Sequence, residues 1–281
     1  MATTTALRAR NADFWARAAP GWIAHADHHD DWSRPLGAPA LDRLSIGPRE
    51  RVLDAGCGCG GTTADLARAV GAAGYAVGVD LSEEMVAAAR RRHPGVEFVA
   101  GDLETMKVVR GAPFDAAYSC MALMLPADPV AVLTTVMNSL HPGGRLAATV
   151  FREQSTVPWL PAAVLGAAAH VGALPPLPVG DEPGPFALAD PARTRKALTA
   201  AGFDTIAIEP RDVVLETPDD PDAVTSWLIG IGPAGAAYRE APPEAQAAAR
   251  SGAARLLSRF RTPGVGYRLP TGIWLITAEC A

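Results

Sequence analysis

The chain has little of what marks several large classes of protein. It carries four cysteines in 281 residues, and Cys57, Cys59, Cys120 and Cys280 show no spacing of a secreted disulfide framework, so a cytoplasmic setting is expected. No long basic run accompanies the formal charge of −5, which argues against a protein that holds nucleic acid by neutralising phosphates. The N-terminus lacks a basic segment followed by an apolar core, so no signal peptide is expected. The longest apolar stretch, Ala162 to Leu177, is interrupted by His170 and closes in prolines, too short and broken to span a bilayer. No repeat of solenoid length is visible. What is present is 49% hydrophobic residues, ample for one large core. A small-molecule substrate is favoured, with neither a nucleic-acid nor a membrane partner.

The most informative stretch is Arg51 to Gly61, RVLDAGCGCGG. Arg51 to Ala55 reads as a strand that breaks into Gly56, Gly58, Gly60 and Gly61, after which Thr62 to Val70 reads as a helix capped by Thr62 or Thr63. Glycines between a strand and a helix let backbone approach a nucleotide-like ligand without Cβ atoms in the way. Their spacing satisfies both G-x-G-x-x-G and G-x-G-x-G, so by itself it leaves two cofactor classes open. Cys57 and Cys59 lie inside the turn, where a small residue suffices, and no metal site is expected from them.

The residues that follow alternate strand and helix. Tyr75 to Asp80 is a buried-type strand ending in an acid that can accept from ribose hydroxyls. Ser82 caps a helix, Glu83 to His93, whose acids first and arginines last suit the helix dipole. Val96 to Ala100 is a third strand, followed by Asp102 and Leu103. Phe114 to Cys120 is a fourth, Asp128 to Leu140 a helix, and Arg145 to Phe151 a fifth strand. Such βα alternation implies a parallel sheet with right-handed crossovers.

The pieces VLDAGCGCGG, VGVDLSEEM, FVAGDLE, FDAAYS and LHPGGRL resemble class I S-adenosylmethionine-dependent methyltransferases, closely over Arg49 to Phe151 and loosely beyond. The resemblance implies an α/β fold with a Rossmann-like, doubly wound seven-stranded sheet, mostly parallel with an antiparallel last strand, and helical lid insertions. It implies S-adenosylmethionine as cofactor and S-adenosylhomocysteine as product. By the same carry-over, Asp54, Gly56, Cys57 and Gly58 hold the methionine part and sugar edge, Asp80 and Leu81 the ribose, Asp102 and Leu103 the adenine. Ser119, Cys120 and Met121 line the cofactor's other side. Dinucleotide binding is set aside, since no second half suited to nicotinamide follows.

Residues 1–42 read as an N-terminal helical cap on a cofactor core of 43–151. Two short helices are expected there, the first over Asn11 to Ala19 and ended by Pro20–Gly21. The run HADHHDDW invites a metal reading, but it is one local polar segment without matching ligands elsewhere. His28 or His29 is the candidate general base, since imidazole titrates near neutral pH. Residues 152–190, rich in proline, read as a substrate lid. Substrate-facing candidates are Trp22, Trp32, Trp159, His170 and Phe186. The remainder, 191–281, completes the core: a helix Asp190 to Ala201, a strand Phe203 to Pro210 and a strand Ile273 to Cys280. A helical insertion of about 216–269 lies between those strands, with helices near Asp222 to Ile229 and over Pro243 to Arg261. It serves as a pocket cover or a homodimer contact. The expected activity is methyl transfer to oxygen, nitrogen or carbon of a small apolar or aromatic metabolite. RNA or protein methylation, and a non-catalytic cofactor-binding role, are the alternatives.

Overall fold

A computed structural model describes residues 3–172 and 182–280. Pro175, Pro176 and Pro178 of the expected lid lie outside the described residues. Two helices come first, α1 (Thr4–Ala24) and α2 (Ala26–Leu44), followed by the alternating unit: β1 (Arg51–Ala55), α3 (Gly61–Val70), β2 (Tyr75–Asp80), α4 (Glu83–Arg92), β3 (Glu97–Ala100), β4 (Phe114–Cys120), α5 (Pro129–Ser139) and β5 (Leu140–Phe151). The second half holds α6 (Trp159–Val171), α7 (Pro191–Ala200), β6 (Phe203–Thr217), α8 (Pro221–Ile231), α9 (Gly235–Glu240), α10 (Pro243–Leu257), the two-residue β7 (Arg261–Thr262) and β8 (Gly266–Cys280).

The sheet order is β3-β2-β1-β4-β5-β8-β6, with β7 paired to β8. The pairs β3-β2-β1-β4-β5 are parallel, and β8 runs antiparallel to both β5 and β6. Successive strand residues face opposite sides, and burial follows that period. Val52, Ala116, Tyr118, Ala147 and Leu275 pack with Ala40, Leu44, Leu66 and Val70 under α2 and α3. Leu53, Ala117, Leu146, Ala148 and Ile276 join the larger core on the other side, with Val132, Val136 and Leu198.

Helix starts are written in the residues. Ser82, Asp128, Asp190 and Asp220 each accept a hydrogen bond from a backbone N–H of the first turn they cap, and Pro129, Pro191 and Pro221 occupy the following position. At α3 the expectation fails. The N-cap is Gly60, in a left-handed conformation (φ +89°) with no side-chain cap bond, because the Thr63 hydroxyl is donated to Asp54 instead (2.7 Å).

The N-terminal expectation also fails, since α1 runs through Pro20 and Gly21 to Ala24. Tertiary contacts outweigh the local break. Arg239 of α9 donates to the carbonyl of Arg17, one turn before Gly21, and Trp22 Nε1 donates to Ile231 (3.0 Å). A Cβ on Gly21 would overlap the carbonyl of Gly230 in α8. Gly21→Ala should therefore push α1 off α8 at a cost of about 1–3 kcal/mol. Chemical denaturation measures it, and an unchanged midpoint would mean that this contact is not tight.

β6 and β8 are longer than expected because they pair with each other over their whole lengths, Phe203 against Cys280 to Thr217 against Tyr267. The helix expected to reach Arg261 stops at Leu257, where a short 3-10 turn leads into β7. α9 was not foreseen. Among the described residues no helix is long and apolar enough to cross a membrane.

Candidate cofactor and acceptor site

Gly56 and Cys57 both donate to the Val79 carbonyl (2.8 and 3.1 Å), which holds the glycine turn against the end of β2. Gly56 has φ +85° and its absent Cβ would overlap that of Ala122, so both the conformation and the packing require glycine. At Gly58 (φ +52°) nothing lies within 4 Å of where a Cβ would be, leaving one backbone face of the turn open. The Cys57 side chain turns inward among Val86, Ala89 and Phe98, and burial pushes its thiol well up. Cys59 is buried too and pushed up to about 12. The turn thus presents backbone, not thiolate, and among the described residues no cluster could hold a metal ion.

Three acids stand at the carboxyl ends of the adjacent strands β1, β2 and β3. Asp80 accepts from the N–H of Gly58 (2.8 Å) and of Ser82 (2.9 Å). Burial raises its carboxyl above the usual range while those two bonds pull it back. Asp102 accepts from the N–H of Glu104 (2.8 Å), with Leu103 half-buried between them. Arg8 of α1 crosses to Glu104 (3.3 Å) and lies 3.8 Å from Asp102. Glu104 in turn takes the N–H groups of Ala127 and Asp128, tying the β3 loop to the start of α5.

Asp54 is different. It is 2% exposed, and burial pushes its carboxyl up to about 7 against the opposing Thr63 bond. The folded protein therefore holds a proton that the unfolded chain releases above about pH 4. That contribution to stability is present at low pH and is lost as the pH rises toward 7. His29, pushed down to about 4 by burial, acts in the opposite sense: the unfolded chain protonates first, so stability falls as the pH drops from about 6.5 to 4. Asp54→Asn should leave stability rising more steeply between pH 4 and 7 than in the wild type, by on the order of 4 kcal/mol across the range. Equal slopes in thermal melts would mean that Asp54 stays ionised in the folded state.

Of the β4 trio, Ser119 is fully buried and donates to the Ala55 carbonyl (2.7 Å), so its hydroxyl stitches β4 to β1. The Cys120 thiol is pushed up to about 11 by burial and accepts from Thr149 at 3.7 Å. Met121 breaks the strand with φ +56° while its N–H donates to the Thr149 carbonyl.

α2 lies over the turn through residues that the sequence reading passed over. The Asp30 carboxylate sits where a Cβ on Gly61 would be, and Arg92 joins Asp30, Asp27 and the Cys59 carbonyl. Their signal was present, since Asp30 belongs to HADHHDDW and Arg92 to the basic end of α4. His28 is exposed at its edge but its ring meets Trp227 at 4.5 Å, and His29 meets Trp22 at 4.5 Å. The His29 Nδ1 is buried without a hydrogen-bond partner.

The rings continue from there. Trp32 contacts Trp227 (4.5 Å) and Trp159 (5.5 Å), Trp159 contacts Phe151 at the end of β5, and Phe151 contacts Phe186. Trp22, Trp32, Trp159 and Phe186 thus belong to one aromatic wall above the carboxyl edge of the sheet. Trp159 is buried within it, donating to Thr271 (3.0 Å). His170 does not join the wall. It packs beside Gly252 where α6 meets α10. Trp227 completes the wall and escaped the sequence reading, although its helix was expected. A cleft of about 470 Å³ runs along His25, Asp27, His28 and Arg91 and includes no residue of the glycine turn.

A parallel sheet of this order closed by an antiparallel strand, with a glycine turn and acids on successive strand ends, defines an α/β nucleotide-cofactor fold of the class I type. A family model for a methyltransferase domain matches residues 52–144. The chain is 30% identical over 221 residues to the trans-aconitate 2-methyltransferase of an Azoarcus species, covering 75% of this chain and 78% of that protein. It is 40% identical over 121 residues to the demethylmenaquinone methyltransferase of Beutenbergia cavernae, covering 43% of this chain and 48% of that one. The chain spans about half or less of the length of several curated relatives that it matches. The crystal structure of an S-adenosylmethionine-dependent methyltransferase from Aquifex aeolicus superposes with a TM-score of 0.51 at 15% identity, covering 92% of this chain and 98% of that one. That likeness shows the fold. The chain belongs to the class I S-adenosylmethionine-dependent methyltransferases, whose cofactor is S-adenosylmethionine.

Proposed function

We propose that the protein transfers a methyl group from S-adenosylmethionine to oxygen, nitrogen or carbon of a small apolar or aromatic metabolite. The observation that carries this reading is the aromatic wall joining α2, α6 and α8, whose Trp22 packs on the cluster that holds Cys59 of the glycine turn. The residues fit the cofactor: the open face at Gly58 admits a ligand against backbone, and Asp80 keeps lone pairs beyond those given to Gly58 and Ser82. Gly56, Cys57 and Gly58 hold the methionine end through backbone, Asp80 and Leu81 the ribose, and Asp102 and Leu103 the adenine. Met121 and Cys120 border the other side. Asp54 supports the turn from beneath through Thr63.

The bound cofactor supplies a sulfonium-activated methyl group, released by C–S cleavage to leave S-adenosylhomocysteine. The chain's own part is to hold the acceptor in line, an effect that reaches roughly 7–11 kcal/mol for well-aligned reactants. Ring faces of Trp22, Trp32 and Trp159 favour a nearby cation. His29, held neutral at pH 7, takes the acceptor's proton through Nδ1, with His28 at the wall's outer edge. Residues 1–42 act as a cap, and 152–190 as a lid that excludes water. The 216–269 insertion, packed through α8 and α10 on α6, covers the acceptor side, and a homodimer contact through it is read by light scattering. A cytoplasmic location suits this role.

The test is transfer of labelled methyl from S-adenosylmethionine to a small-molecule extract and to an RNA-plus-protein fraction of the source cells. Label in the small pool is expected. Label confined to macromolecules would overturn the reading, and cofactor binding without label in either pool would favour a non-catalytic role.

A further inference from the structure

Three nitrogen atoms in the aromatic wall are buried without a hydrogen-bond partner: Nε1 of Trp32, Nε1 of Trp227 and Nδ1 of His29. Three other tryptophans are satisfied, Trp22 by Ile231, Trp159 by Thr271 and Trp274 by Ala189. An unmatched buried donor costs about 1–3 kcal/mol, so three on touching rings call for a partner. The rings do touch: Trp32 and Trp227 stand edge to face with centroids 4.5 Å apart, and His29 lies 6.0 Å from the first and 6.4 Å from the second. Solvent comes close, since the cleft of about 470 Å³ reaches His28, whose ring meets Trp227 edge-on.

The chemistry of the three atoms narrows what completes them. Each indole nitrogen only donates, whereas a neutral imidazole nitrogen donates or accepts according to tautomer. A carboxylate here would lack a buried counter-ion, because Arg92 is engaged by Asp27, Asp30 and the Cys59 carbonyl, Arg239 by backbone carbonyls, and Arg91 stands exposed on the outer cleft. Its desolvation would go unrepaid. An ammonium group would meet two donors. A hydrocarbon would leave all three atoms unmatched. A hydroxyl on a planar ring has the matching chemistry, an oxygen that can accept from indole N–H groups and a hydrogen that can be donated to a neutral imidazole nitrogen.

We propose that Trp32, Trp227 and His29 form the polar end of the acceptor subsite, and that it takes an uncharged planar molecule through a phenolic or enolic hydroxyl. This rests on the reading of the aromatic wall as the acceptor side. The rings part to admit the hydroxyl, which replaces ring-to-ring contact by three hydrogen bonds.

The experiment uses the full chain and four probes: naphthol, methoxynaphthalene, naphthalene and naphthoate. The indole N–H signals of the six tryptophans are followed by proton–nitrogen correlation spectroscopy, with Trp32→Phe and Trp227→Phe assigning two of them. Naphthol is expected to bind tightest, about tenfold above methoxynaphthalene, which cannot donate to His29, and about a hundredfold above naphthalene. It should shift the Trp32 and Trp227 signals, and each Phe variant should lose affinity for naphthol but not for naphthalene. Equal affinity for naphthol and naphthalene would overturn the proposal, leaving the indoles satisfied by neighbouring ring faces. Tightest binding of naphthoate, or binding of no probe, would overturn it as well. Calorimetry with S-adenosylmethionine on the same preparation separates the two readings. Failure there removes the methyltransferase function, whereas the order of the probes decides the hydroxyl subsite.

Discussion

Asp80→Asn should lower affinity for S-adenosylmethionine roughly a hundredfold while leaving the melting temperature close to wild type. A carboxylate offers about four lone-pair sites, and Asp80 gives one oxygen to the Gly58 N–H and the other to the Ser82 N–H. Those bonds aim the group at the carboxyl edge of β2 and leave a lone pair on each oxygen for a pair of hydroxyls. Hydrogen bonds to a charged group contribute about 1.5–3 kcal/mol each, so weakening two of them costs about 3 kcal/mol, or a hundredfold. Asparagine keeps the shape and one acceptor, which is why the turn should survive. Calorimetric titration gives the answer, and unchanged affinity would remove Asp80 from the cofactor site.

The largest effect on stability is expected from Trp227→Ala. Trp227 is 1% exposed and touches His28, His29 and Trp32 within the main core. Removing a buried ring of that size typically costs about 3–5 kcal/mol in lost transfer energy and cavity, which for a chain of this length is roughly a 10 °C fall in melting temperature. The loss should be felt across the wall, since Trp227 joins α8 to α2. A melting temperature within a degree or two of wild type would mean that the wall collapses around the gap.

The contrast between the two halves of the chain explains what could be read in advance. β1, β2 and β4 match their expected bounds, because in a parallel sheet each strand is a short apolar run set off by glycines and helix caps, and every signal is local. The places of Asp80 and Asp102 in the sheet were legible for the same reason, the first closing β2 and the second two residues past β3. Pro20–Gly21 misled because the forces that carry α1 onward come from Arg239 and Ile231, more than two hundred residues away in sequence. Trp227 was missed because its role depends on which helix it faces, and α2 lies far from it in the chain. Ser119 shows a third limit. Its position at the strand end was correctly placed, but whether the hydroxyl turns toward a ligand or toward Ala55 is a rotamer that no pattern records.

The place of β8 in the sheet bears on how the chain reaches this state during synthesis. β1 to β4 pair only within the β1–β5 unit, which can assemble as soon as Phe151 has left the ribosome. β6 has no such freedom, because both its neighbour and the far edge of β5 are supplied by Gly266–Cys280. Until that strand arrives, β5 carries an open edge and β6 an unpaired backbone, the kind of surface on which nascent chains aggregate. Arg145 on β5 and Arg211 on β6 place charge there during the wait.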